Sequence, residues 1–171
     1  VKNHDAPLES LNAGFLTDGV IVQVTQDAAP NTPLELIYLT TGSNEATHTR
    51  TFVELEQGAS LTLYETFTSA EGAEKSWHNN VSHVTLGRGS HLKFARTQNM
   101  EKSCFFTSSV HTTISRDATF DGFAANLGGK LARNHLTTHL LEQGGHFEVN
   151  GFSLTGLGQH HNTTTTTHHP V

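Results

Sequence analysis

The chain has 171 residues, enough for one domain with a sizeable core. Acids outnumber bases 16 to 10 and the net charge is −6, which argues against a nucleic-acid partner, since phosphate contacts come mainly from Lys and Arg. No apolar run approaches the roughly 20 residues that span a bilayer as a helix; the opening VKNHDAPLES lacks the charged and apolar regions of a signal peptide; and the lone Cys104 excludes an internal disulfide, as suits a reducing compartment.

Taken in chain order, little reads as helix. In DAPLESLNAGFLTDG (5–19), Leu8, Leu11 and Phe15 have helical spacing, with Asp5 as N-cap and Gly14 or Gly19 as stop, so one short helix is predicted there. GVIVQV follows with Val20, Val22 and Val24 at strand period, and PLELIYLT (33–40) alternates through Leu34, Leu36 and Tyr38. The wealth of Thr, Val and Phe suits pleated surfaces.

From residue 51 a repeat emerges. FVELEQGASLTLYE, HVTLGRGSHLKFAR, HTTISRDATFDGFA and THLLEQGGHFEVNG each place two apolar residues six apart across a short polar bend. The pairs are Leu55 and Leu61, Leu86 and Leu92, Ile114 and Phe120, Leu141 and Phe147, and both columns advance by 31, 28 and 27 residues. One such unit cannot bury its apolar face alone, whereas stacked units build continuous columns. The predicted fold is therefore all-β, a right-handed parallel β-helix, as a single domain over 1–171 with a lead-in segment at 1–19 and rungs from 20. Bends are expected at Gly58, Gly89, Ala118 and Gly145, and alternation turns Ser60, His91, Thr119 and His146 outward. A β-sandwich is the alternative, since meanders also alternate. Both termini read as cut, so the chain is expected to be a core fragment whose exposed strand edges invite self-association.

Thirteen histidines raise the question of metal. His135 and His139 in HLTTH would share a helical face, but Leu136 stands where a zinc protease has Glu, and on a strand residues four apart lie about 13 Å from one another. In GQHHNTTTTTHHP, His160 shares a strand face with His168 and His161 with His169, each pair roughly 26 Å apart unless the chain bends. Two histidines separated by one intervening residue, as a cupin would normally show, do not occur. Cys104 reads as a small buried hydrophobe, and NLGGK (126–130) as a turn, because it lacks the spacing of a phosphate-binding loop. No catalytic, cofactor-binding or metal-ligating residue is assigned from the sequence.

One long stretch resembles a known family. Gly128, Gly129, Arg133, Asn134, Gly144, Asn150, Gly151, Gln159, His160, Thr165, His168 and Pro170 are similar to the core pattern of the SufB/SufD family of iron–sulfur cluster assembly proteins, with SufD the nearer branch. LNAGFLTDGVIVQV and PLELIYLT look like that family's first strands. The resemblance implies a parallel β-helix and a non-catalytic scaffold subunit that works with SufB-like and SufC-like (ATPase) partners in the bacterial cytoplasm, in cluster biogenesis and iron acquisition. It implies no cofactor in this segment. The family's cluster ligands and its C-terminal helical domain lie beyond residue 171. Arg133 and Asn134 are expected at a rung corner, in a structural role. The competing expectations are a β-helix carbohydrate-active enzyme, disfavoured by the shortage of Lys and Arg, and a His-rich metal-binding module.

Overall fold

A computed structural model describes residues 6–169. Asp5, the expected helix cap, and Pro170 lie outside the described residues. The single helix, α1, runs Ala6–Gly14 and stops at the first of the two predicted glycines. Eleven strands follow: β1 Asp18–Val24, β2 Leu34–Thr40, β3 Ala46–Leu55, β4 Ser60–Ser69, β5 Trp77–Leu86, β6 His91–Asn99, β7 Phe105–Ile114, β8 Thr119–Asn126, β9 Leu131–Leu140, β10 His146–Ser153 and β11 His160–His168.

Odd strands form one sheet in the order β1-β3-β5-β7-β9-β11, and even strands form the other, β10-β8-β6-β4-β2. Every neighbouring pair is parallel. This is the predicted parallel β-helix, and it excludes the sandwich, whose hairpin connections give antiparallel neighbours. Each turn of chain lays one strand on each sheet, and the strands' alternate residues fill the lumen between the sheets.

The register confirms most of the predicted columns and corrects one. Leu61, Leu92, Phe120 and Phe147 stack as expected. In the facing sheet Leu55 lies beside Leu86, and Leu86 beside Ile114, but Ile114 pairs with Leu140. Leu141 was the predicted member, yet it is 47% exposed whereas Leu140 is 7% exposed. The fourth bend is one residue longer than the three before it, and the extra residue is extruded. Matching a repeat by eye with a fixed gap of six hides such an insertion.

The bends also differ in detail. At these bends the left-handed conformation falls on Asp27, Gly58, Gly89, Asp117 and Gly144, one at each. The predicted Ala118 and Gly145 each follow that position by one residue. Stacking of these corners is direct: the N–H of Asp27, Gly58, Gly89 and Asp117 donates to the carbonyl of Gln57, Arg88, Arg116 and Gln143 in the next turn, at 2.9 to 3.3 Å. What the bend needs is thus a residue that tolerates positive φ, a role Gly and Asp can fill, rather than merely a small one.

α1 is held by polar pins, and of the apolar stripe Leu8 and Leu11 are only partly buried and Phe15 is exposed. Phe15 is 64% exposed, while Asn12 is fully buried against the outer face of the odd-strand sheet. Its side-chain amide donates to the carbonyls of Thr49 (3.1 Å) and Asn79 (2.9 Å), and its oxygen accepts from Arg50 Nε at 2.8 Å. One short side chain thereby ties the helix to β3 and β5.

Candidate functional site in the solenoid lumen

Along the width of the rungs, the lumen has three zones. One is a large apolar cluster that includes Val53, Leu55, Leu63, Leu86, Leu92, Ile114 and Phe120. At the other side Phe67, Met100, Cys104, Phe106 and Ala132 form a second cluster. Between them runs a polar seam, which the alternation of the strands creates wherever the inward position is not apolar.

Glu65 on β4 and Arg96 on β6 occupy neighbouring places in one lumenal column. Both are almost wholly buried, at 1% and 5% exposure. Arg96 donates through Nε to Glu65 Oε2 at 2.9 Å and pairs with the same oxygen through Nη2. It crosses the lumen to Ser82 Oγ at 2.9 Å and to Ser108 Oγ, both on the opposite sheet. Its guanidinium also lies 5.3 Å from the ring centroids of Phe67 and Phe94. One cation therefore ties the two sheets together with charge-assisted bonds.

The seam continues on the odd strands through Thr49, Asn80, Ser108 and Asn134, which are in register. Asn80 Nδ2 donates to Thr49 Oγ1 at 3.1 Å, and Thr49 Oγ1 lies 2.9 Å from His78 Nε2. Asn134 Nδ2 reaches across to Asn126 Oδ1 at 3.0 Å. Tyr38 Oη and Thr51 Oγ1 are 2.6 Å apart. Burial, helped by the Glu65 carboxylate, raises the Tyr38 phenol to about 12, so it stays neutral. Burial, with Arg96 and His48 nearby, lowers His78 to about 4, so the imidazole is neutral at physiological pH. Chemically, the seam is a set of fixed donors and acceptors around a buried ion pair, with Glu65 Oε1 left without a hydrogen-bond partner among the described residues.

The residues weighed from the sequence fall out as follows. His135 and His139 lie on strand β9 and not on a helix, as the repeat requires. His160 and His168 lie at opposite ends of β11, which does not bend to bring them together. His161 faces the lumen side, 2.9 Å from the Gly128 carbonyl. His168 instead stacks on His139 of the preceding rung, with ring centroids 4.6 Å apart. Cys104 is fully buried and its thiol donates to the Ala73 carbonyl at 3.1 Å. Arg133 and Asn134 are in the middle of β9 and not at a corner, so that part of the expectation is corrected. Gly128 is explained by close approach: a Cβ there would collide with the Met100 backbone.

The Glu65–Arg96 pair was missed in the sequence, although a signal for it existed. Leu61, Leu63 and Phe67 share strand phase with Glu65, and Leu92 and Phe94 share it with Arg96. A charge in an otherwise apolar inward phase, 31 residues from its opposite, marks a lumenal ion pair.

The fold thus defines a parallel β-helix with a polar-centred lumen. A family model described as SUF system FeS cluster assembly, SufBD core domain, matches residues 38–171, which takes in Tyr38, Glu65, Arg96 and the whole seam. Similar curated proteins include an iron–sulfur cluster assembly SufBD family protein of Staphylococcus epidermidis, 22% identical over 155 residues that cover 91% of this chain and 33% of that protein. Another is the iron–sulfur cluster assembly protein SufB of Bacillus subtilis, 22% identical over 156 residues, 91% of this chain and 34% of that protein. The chain belongs to the SufBD family. It spans about a third of the length of these relatives, and the comparisons place it in the family without choosing between the SufB and SufD branches. No described helix is long and apolar enough to cross a membrane.

Proposed function

We propose that this chain is the β-helical core of a non-catalytic scaffold subunit, of the SufD type, in an iron–sulfur cluster assembly complex. The observation that carries the reading is the SufBD core match over 38–171, laid on an unbroken two-sheet solenoid. The solenoid itself supports a scaffold role. The buried Glu65–Arg96 pair bonds to serines of the facing sheet, and such cross-lumen groups brace a rigid body. In this reading the partners are a SufB-like subunit and a SufC-like ATPase, the setting is the bacterial cytoplasm, and the iron–sulfur cluster is cargo and not a resident cofactor. Iron acquisition is the wider process served.

Co-purification tests this directly. The full-length protein, tagged and expressed with its SufB-like and SufC-like partners under reducing conditions, is expected to bring both down in stable stoichiometry. Recovery of the protein alone would overturn the proposal.

A further inference from the structure

The outer face of the even-strand sheet carries a cluster that the lumen and the family match leave unused. His91 on β6, Asp121 on β8, and His146 and Glu148 on β10 occupy three successive rungs. Parallel register places Glu148 directly beside Asp121, and strand alternation puts His146 and Glu148 on the same face. Ligand atoms of Asp121, His146 and Glu148 all lie within 4.8 Å of one another. His146 Nε2 is 3.7 Å from Glu148 Oε2.

Two features set this group apart from a chance gathering of surface charges. First, like charges directly opposite on neighbouring strands destabilise a sheet, and Asp121 and Glu148 are paired in that way, with Lys93 beside Asp121 on its other side. A cation between them would turn the repulsion into attraction. Second, each carboxylate already has a partner on one oxygen. His91 Nε2 lies 2.8 Å from Asp121 Oδ2, and Asn150 Nδ2 donates to Glu148 Oε1 at 2.6 Å. Glu148 Oε2, the opposite oxygen, is turned toward His146 Nε2. Outer contacts of this kind orient the ligands of metal sites.

We propose that Asp121, His146 and Glu148 form a surface site for a divalent transition-metal ion, with His91 and Asn150 as positioning residues. One imidazole nitrogen and two carboxylate oxygens suit zinc or a neighbouring ion better than copper(I), which prefers sulfur. The two carboxylates neutralise the ion's charge. All three side chains are about half exposed, so water completes the shell and exchange is open. Small rotamer shifts close the cluster to bonds of about 2.0 to 2.2 Å. The site faces away from the lumen and does not depend on the scaffold reading.

Metal titration of the intact chain tests it, with zinc as the ion and cobalt(II) as its spectroscopic substitute. The expected result is one equivalent bound at micromolar concentration, with cobalt bands showing nitrogen and oxygen ligands. Asp121→Asn combined with Glu148→Gln should weaken binding at least 100-fold, and His91→Gln about 10-fold. His139→Ala combined with His168→Ala should leave it unchanged, which separates this site from the chain's other histidines. His146→Gln, at a half-exposed position, provides the same loss with the sheet intact should the double carboxylate variant fail to fold. Unchanged stoichiometry and affinity in His146→Gln, or the absence of any ion at micromolar levels in the parent chain, would overturn the proposal. Because no partner protein is present, its failure is separate from failure of the co-purification experiment.

Discussion

The apolar and polar zones of the lumen are built on the same strands yet obey different rules. In the column Leu61, Leu92, Phe120 and Phe147, one hydrophobe succeeds another and stacking asks only for similar volume. In the column Leu36, Glu65, Arg96, Ala124 and Gly151, every residue differs in kind from the next. There the identity of each side chain depends on what crosses from the other sheet. The apolar zone supplies the driving force for stacking, which is non-directional. The polar seam fixes how the two sheets face each other, because a guanidinium bonded to Glu65, Ser82 and Ser108 tolerates little displacement.

The most damaging way to erase the contrast is to put a charge into the apolar zone. Phe120 is 1% exposed and sits against both Phe94 and Phe147, with ring centroids 5.7 and 5.4 Å away. Phe120→Asp removes those contacts and buries an unpaired carboxylate. The expected outcome is loss of the cooperative thermal transition. Ordinary melting of this variant would contradict the register described above.

The seam should respond less violently, and in a distinctive pattern. Arg96→Ala leaves Glu65 buried without its only partner among the described residues, since Glu65 Oε1 has none of its own. The expected loss is about 3–5 kcal/mol by denaturant unfolding. Replacing both members together, Glu65→Leu with Arg96→Met, should restore most of that stability, as buried pairs replaced by hydrophobes of similar volume are often neutral. A double variant as unstable as the single would mean that the Ser82 and Ser108 bonds, and not the pair, carry the energy.

This contrast also explains what was legible in the sequence. Columns of like residues announce themselves by repetition, so the solenoid, its strand phase and the outward Ser60, His91, Thr119 and His146 were all readable. Leu141 was misplaced because a bend can gain one residue without disturbing either flanking column. The ion pair escaped because Glu65 and Arg96 are each unremarkable alone and meet only once the register is known. The cluster of Asp121, His146 and Glu148 escaped for the same reason: His146 alone was in view as an outward residue, and only the pairing of β8 with β10 joins it to Asp121. The helix was read for its leucines, although polar bonds centred on Asn12 pin it, because such bonds leave no periodicity.

The finest distinction between the zones lies in their response to pH. The apolar columns have nothing to titrate, whereas the seam contains His78, 3% exposed and lowered to about 4 chiefly by burial. In the unfolded chain a histidine titrates near 6.5. Between these values the unfolded state binds the extra proton and the native state does not, so native stability falls as pH drops from about 6.5 to about 4 and levels off below. A shift of this size corresponds to about 3 kcal/mol at most. His48 and His83, also lowered by burial, act in the same direction. Replacement by an uncharged side chain, His78→Gln, should flatten the pH dependence of unfolding across that window while costing some stability at pH 7 through the lost ring contacts with Phe67 and Tyr38. Urea midpoints measured from pH 7 to pH 4 separate the two effects. A slope unchanged by the substitution would show that the buried imidazole is not the group that senses the proton.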